Sequence, residues 1–215
     1  MLYQTPPRKI AERFAHSTDV EERLALSRFP DHSRSLLKVY PPDAQNQPAR
    51  RLKSLGYFAA SGTPMEVFLA YQKDGTTRMV AVTGTREGPR VDWDAYARHS
   101  SVPWDEFFSG RSPEIIARVT VRPGEFYSRN FQDRDQWICF SLDNPDLEEG
   151  FYGYLPRHSS LADRLLSTLS QQFLRFTLTL RLDQEFPQHR QAEILRLNSP
   201  SWVLPGPGFP EAEEL

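Results

Sequence analysis

The stretch SSLADRLLSTL at residues 159–169, followed by RFTLTLRL at 175–182, decides how the second half of the chain is read. In the first run Leu161, Leu165 and Leu169 recur at helical spacing, and Ser159 or Ser160 stands where a helix cap belongs. In the second, Phe176, Leu178, Leu180 and Leu182 alternate with Arg175, Thr177, Thr179 and Arg181. That is the period-two pattern of a strand with its apolar set inward and its polar set outward. Upstream, EIIARVTV (114–121), QWICFSL (136–142) and GFYGYLP (150–156) also read as strands. A polar–aromatic connection, PGEFYSRNFQDRD (123–135), separates the first two, and the turn DNPDLEE (143–149) joins the second to the third. QAEILRLN (191–198) closes the set. The order is three strands, a helix, then two strands.

The first half has a different pattern. Pro6 and Pro7 precede KIAERFA, in which Ile10 and Phe14 share one helical face. Thr18 with Glu21 has the spacing of a capping box before EERLALS, which carries Leu24 and Leu26. Pro30 breaks that helix, and Asp31 is placed to cap SRSLLKVY, which includes Leu36 and Val39, before Pro41 and Pro42 stop it. Residues 41–50 read as a polar linker. Three β-rich runs follow, LKSLGYFAAS, MEVFLAYQK and TRMVAVTGT, and then the short strand PRVDW. Lys73-Asp74-Gly75-Thr76 is a hairpin turn, because Asp-Gly tolerates the positive φ that a tight turn requires. Residues 94–110 read as a helical bridge whose Trp104, Phe107 and Phe108 are expected to supply packing between domains.

Residues 114–198 resemble, in this element order, the oligonucleotide/oligosaccharide-binding (OB) barrel, a small closed Greek-key fold. Residues 6–93 are similar to the cone-shaped nuclear-transport-factor-2-like fold. The similarity rests on helices around Ile10–Phe14, Leu24–Leu26 and Leu36–Val39, then the strands LGYFAAS, VFLAYQ and MVAVTG ending at VDW. The phrase VDWDAYARHSSVPWDEFFSGR followed by a barrel-like half resembles a widespread type of bacterial two-domain protein. That resemblance implies an architecture and no chemistry. The expected class is therefore α+β, with N-terminal helices packed on a curved antiparallel sheet, followed by a five-stranded OB-like barrel with one helix. The expected divisions are 1–93, a bridge at 94–110, a barrel at 111–200 and a proline-rich acidic tail at 201–215. In that tail Trp202, Val203 and Leu204 are the residues able to clip onto the body.

Composition narrows the function classes. The chain has 215 residues, with 26 Lys+Arg against 28 Asp+Glu for a net charge of −2. Neutrality holds within each half, which argues against general nucleic-acid binding. A single Cys excludes an internal disulfide and a Cys-based zinc site. No run approaches the roughly 20 apolar residues of a membrane span. The first thirty residues have no signal-peptide core, so the default expectation is cytoplasmic, or membrane-tethered if an N-terminal anchor has been removed.

Two groups of residues carry candidate chemistry. Asp92, Asp94 and His99 form the tightest acid–histidine set and could serve proton transfer in the open end of a cone. In the alternative reading Asp92 ends a strand, Asp94 caps the next helix and His99 lies on its surface. The second group is the aromatic set Phe126, Tyr127, Trp137, Phe151, Tyr152 and Tyr154, with Arg129, Arg134 and Arg157 nearby. The OB resemblance implies ligand-stacking aromatics on the second and third barrel strands, so Trp137, Tyr152, Tyr154 and Arg157 are the candidate binding surface. The five histidines have no metal-ligand spacing, Cys139 reads as a buried small hydrophobe, and no phosphate loop is present. No cofactor is expected. The leading expectation is a non-catalytic module that recognises a protein or peptide. The rivals are a small-molecule enzyme or binder using the cone pocket, and a single-strand nucleic-acid binder.

Overall fold

The computed structural model describes residues 5–37, 47–60, 62–169 and 174–209. The chain is α+β, with a four-stranded antiparallel sheet and a closed five-stranded barrel. It divides into two compact units, Met1–Ala97 with Val203–Leu215, and Arg98–Trp202. Contacts thus part the chain after Ala97, within the stretch read from sequence as a bridge, and return the final segment to the first unit.

In the first unit α1 spans Pro7–His16, with its proline in the opening turn, where the missing N–H costs nothing. Its Ile10, Ala11, Phe14 and Ala15 are buried, as the spacing requires. Helix α2 covers Val20–Ala25 and is capped by Asp19, whose carboxylate accepts from the Glu21 amide at 2.9 Å. The cap expected at Thr18 is therefore one residue off, and Ser17, not Thr18, meets a first-turn acid, donating to Glu22 at 2.7 Å. Helix α3, Pro30–Leu36, starts on the proline, so Asp31 lies in its first turn and does not cap it. Val39 and the linker residues 41–46 lie outside the described residues. Between α2 and α3, Ser27 makes a parallel bridge to Val91, which no periodicity in the sequence marks.

Strands β1 (Arg51–Ala60), β2 (Thr63–Tyr71), β3 (Thr77–Thr85) and β4 (Gly88–Val91) pair in sequence order. The turn between β2 and β3 is an Asx turn: Asp74 accepts from the Thr76 amide at 2.8 Å, and Gly75 takes φ +86°. Helix α4, Trp93–Ala97, follows β4. Phe14 meets Trp93 and Tyr96 edge-on, with centroids 5.7 and 4.9 Å away. Beside them Arg23, fully buried, stacks on Phe14 and Tyr96, and donates to Ser17 O at 3.0 Å and the Tyr96 hydroxyl at 3.3 Å. A buried guanidinium is tolerable only when its donors are met in this way.

The second unit opens with α5, Trp104–Phe108. Its barrel strands are β5 (Glu114–Pro123), β6 (Trp137–Asp143), β7 (Phe151–Pro156), β8 (Arg175–Leu182) and β9 (Gln191–Ser199). Helix α6, Ser160–Leu169, lies between β7 and β8, with Ser159 Oγ accepting from the Ala162 amide at 3.2 Å as its cap. The barrel closes in the order β5-β6-β7-β9-β8, antiparallel except for the β7–β9 pairing. Its interior is built from alternate residues, including Ile115, Val119, Phe140, Leu142, Phe151 and the whole Phe176–Leu182 apolar set. Gly153 is required here: a Cβ would stand 2.7 Å from Leu142 Cδ1 and 3.0 Å from Ile194. Trp104 packs on Phe107, Phe108 and Phe151 within this unit.

One outward position behaves otherwise. Thr177, expected to face solvent, is fully buried and donates to Ser201 O at 2.7 Å. Residues 199–202 cover that wall, with the Trp202 ring 5.3 Å beneath the Arg175 guanidinium and its indole N–H on Val119 O at 3.1 Å. The free side of β5 is closed by side chains: Ser101 Oγ accepts from the Ile116 amide, and Asn144 donates to Arg118 O, both at 2.8 Å. Among the described residues no helix is long and apolar enough to cross a membrane.

Candidate functional site

The acid group from the N-terminal half is tied into the fold of the first unit. Asp92 caps α4, accepting from the Ala95 amide at 2.9 Å, while its other oxygen pairs with Arg28 at 2.9 Å. The same guanidinium donates to Leu204 O at 2.8 Å and Pro205 O at 2.7 Å. Asp94 accepts from the Gly208 amide and meets His32 Nε2, each at 3.1 Å. Both carboxylates are buried and hold the returning segment 203–209 against the first unit. His99 belongs to the second unit, where its carbonyl accepts from Arg118 at 2.7 Å. Asp92 thus follows the end of β4, as the alternative reading had it, but it also takes the helix-cap role that this reading gave to Asp94. Asp94 lies two residues past that cap, in the helix's first turn, and binds the segment around Gly208.

The aromatic group in the barrel separates into two layers. Alternation along β7 sends Phe151, Gly153 and Leu155 inward, so Tyr152 and Tyr154 leave the barrel wall on its outside. The connection between β5 and β6 then folds back over Tyr154. Phe131, in a 3₁₀ turn at Arg129–Phe131, stacks on it with centroids 4.1 Å apart and planes 3° from parallel. Tyr154 is consequently 0 % exposed and part of a small outer core with Phe131 and Cys139. Of the four residues expected to form a binding surface, this one is unavailable to a ligand. Trp137 is half-buried against Phe131, and Tyr152 is half-buried beneath Phe126 at 4.6 Å. Arg157 donates to the carbonyls of Arg134 and Trp137 and so fastens the loop end.

Tyr154 works as a strut. Its hydroxyl donates to Phe126 O and accepts from Gln191 Nε2, both at 2.7 Å. Burial raises its pKa, the Gln191 hydrogen bond opposing the shift. Burial likewise pushes the Cys139 thiol up. Gln191 Nε2 also reaches Ser128 O at 3.3 Å, so the start of β9 grips the far loop.

What these struts support is a groove open to solvent, with a volume of about 690 Å³, between the β5–β6 connection and the β8–β9 connection. Phe126, Tyr127, Arg129 and Asn130 contribute from one side, and Glu185, Phe186 and His189 from the other. Asn130 Nδ2 crosses the groove to Asp183 and Glu185 at 3.1–3.3 Å. The Arg129 guanidinium lies 4.9 Å above the Phe186 ring, and its Nε donates to His189 Nε2 at 3.3 Å. Arg129 also takes φ +57°, a conformation that costs an L residue about 1–2 kcal/mol. Glu185, Phe186 and His189 were not among the residues singled out from sequence. The only local signal is an aromatic and a histidine around Pro187 in a loop between two strands. No protein-family model matches the chain, and no curated protein or solved structure matches it either.

Proposed function

We propose that the protein is a non-catalytic binding module, and that its second unit is an OB-type barrel recognising a protein or peptide segment. The carrying observation is the groove between residues 126–132 and 185–189, braced from behind by Tyr154 and Gln191. The barrel's strand order, its parallel β7–β9 pairing and the helix between β7 and β8 support the OB reading of the fold. For the first unit, three helices followed by an antiparallel sheet support the cone-like reading at the level of element order.

A peptide suits the groove better than the rivals do. Aromatic and mixed polar walls with one cation and one anion match a peptide's alternation of apolar and polar groups. A polyanion would need a positive field, and Arg129 against Glu185 gives none. Asp92 has both oxygens engaged, by the Ala95 amide and by Arg28, and Asp94 Oδ2 binds Gly208 and His32, which favours a structural role for the pair.

The test is selection of displayed random peptides on the full chain, counter-selected on Phe186→Ala. Peptides enriched on the wild type and lost on the variant are the expected result. Equal enrichment on both proteins, or none on either, would remove the groove reading.

A further inference from the structure

We infer that this groove selects acidic peptide segments, and that Arg129 receives the carboxylate of an Asp or Glu side chain. The inference rests on the peptide-binding reading above and adds the chemistry that is recognised. Arg129 is oriented by three independent constraints. Its backbone is held in the left-handed region, its guanidinium carbon lies 4.9 Å over the Phe186 ring, and its Nε donates to His189. Among the described residues nothing accepts from its two Nη groups. They form a preorganised pair of donors at the edge of an open groove. Such a fork matches the two oxygens of a carboxylate, and little side-chain entropy remains to be lost on binding.

The charge of the groove wall selects among anions. The groove lining sets one guanidinium, Arg129, with one carboxylate, Glu185, whose Oε2 accepts from Asn130 at 3.1 Å, and the same Asn130 nitrogen holds Asp183 at 3.2 Å. Nearby, Arg134 lies 4.7 Å over the Tyr127 ring and is paired with Glu125 at 3.5 Å, contributing no net field. With no net positive field, the site offers the Arg129 fork alone, which fits the two oxygens of a singly charged carboxylate and leaves a doubly charged phosphate uncompensated. A peptide's C-terminal carboxylate is usually taken by a nest of backbone amides, whereas a side-chain fork is the mode for acidic motifs. Phe126, stacked on Tyr152 and among the exposed large apolar residues, offers a platform for an apolar neighbour of the acid.

The test is titration of the full ¹⁵N-labelled chain with acetyl-Gly-Phe-Glu-Phe-Gly-amide, its Gln counterpart and its phosphoserine counterpart, followed by amide NMR. The Glu peptide is expected to shift the amides of residues 126–132 and 185–189 and to bind at least tenfold more tightly than the Gln peptide. Arg129→Gly, which relieves the positive φ and so retains the fold, should abolish that preference. Arg129→Lys should recover only part of it, since an ammonium keeps the charge without the fork. Equal binding of Glu and Gln peptides at this groove would overturn the carboxylate assignment while leaving the peptide-binding reading intact. Tighter binding of the phosphoserine peptide would overturn the charge argument. No shift with any of the three peptides overturns the assignment here, and the selection experiment above then decides separately whether the groove binds peptides at all.

Discussion

Replacing Tyr154 with Phe isolates the strut beneath the groove. The ring and its parallel contact with Phe131 remain, so only the hydroxyl is removed. That oxygen makes two 2.7 Å hydrogen bonds, to Phe126 O and from Gln191 Nε2. Each has a net worth of about 1 kcal/mol. Gln191 is fully buried, and without the hydroxyl its amide nitrogen keeps only the 3.3 Å contact to Ser128 O, so about 1 kcal/mol of desolvation penalty is added. The expected loss is therefore about 2–3 kcal/mol for the barrel. Tryptophan fluorescence during urea unfolding of the full chain is a suitable assay, because Trp104, Trp137 and Trp202 lie in the second unit and only Trp93 in the first. Hydrogen exchange at residues 126–131 should accelerate in parallel. Gln191→Ala, alone and combined with Tyr154→Phe, should give a coupling of about 1 kcal/mol. A loss under about 0.5 kcal/mol with unchanged exchange, or strict additivity of the two changes, would refute the strut.

Three other outcomes are expected. Gly153→Ala drives a methyl into Leu142 and Ile194, and thermal unfolding should register a cost of about 1–3 kcal/mol from overpacking. Trp104→Ala removes a ring that contacts Phe107, Phe108 and Phe151; unfolding should report a loss of about 2–4 kcal/mol in the barrel transition, and an unchanged transition would exclude the packing role. Cys139, the single thiol, has a folded pKa above its unfolded value, so the folded chain holds that proton more tightly. Its stabilising share is complete below the unfolded thiol pKa and is lost as pH rises towards the folded one. Cys139→Val should flatten that alkaline decline in stability, and native alkylation at pH 8 should run far slower than in urea.

Much of the barrel was legible because its interior obeys one rule. Phe176, Leu178, Leu180 and Leu182 are inward by parity, and every one is buried. Parity failed at Thr177, where the covering group, Ser201, comes from a different part of the chain. It failed again at Tyr154: the alternation sends this residue out of the barrel correctly, and a loop then buries it from the outside. Alternation reports which way a strand residue points; what comes to lie over it is a tertiary matter. The cap of α2 was missed by one residue because Ser17, Thr18 and Asp19 are all competent caps, and only backbone geometry chooses among them. The groove itself had no sequence signature. Its two walls lie 53–60 residues apart along the chain and meet only when β8 and β9 complete the barrel. Asp92 and Asp94 were found as a pair, but their partners Arg28, His32 and Gly208 lie 62 to 114 residues away.

The division of the chain at Ala97 and Val203 makes the barrel an insertion within the first unit, and this orders events during synthesis. Arg28 leaves the ribosome 176 residues before the carbonyl of Leu204, and Asp94 leaves 114 residues before the amide of Gly208. A nascent chain therefore holds a buried-type cation and acid whose last partners do not yet exist, while the whole barrel, Arg98–Trp202, is translated in between. Domains generally fold as units during translation. The barrel can mature on the ribosome, whereas the first unit gains its final hydrogen bonds only once the last segment has emerged. A stall or truncation just past Trp202 would yield a folded barrel attached to an incompletely tied first unit, a species that quality control could recognise.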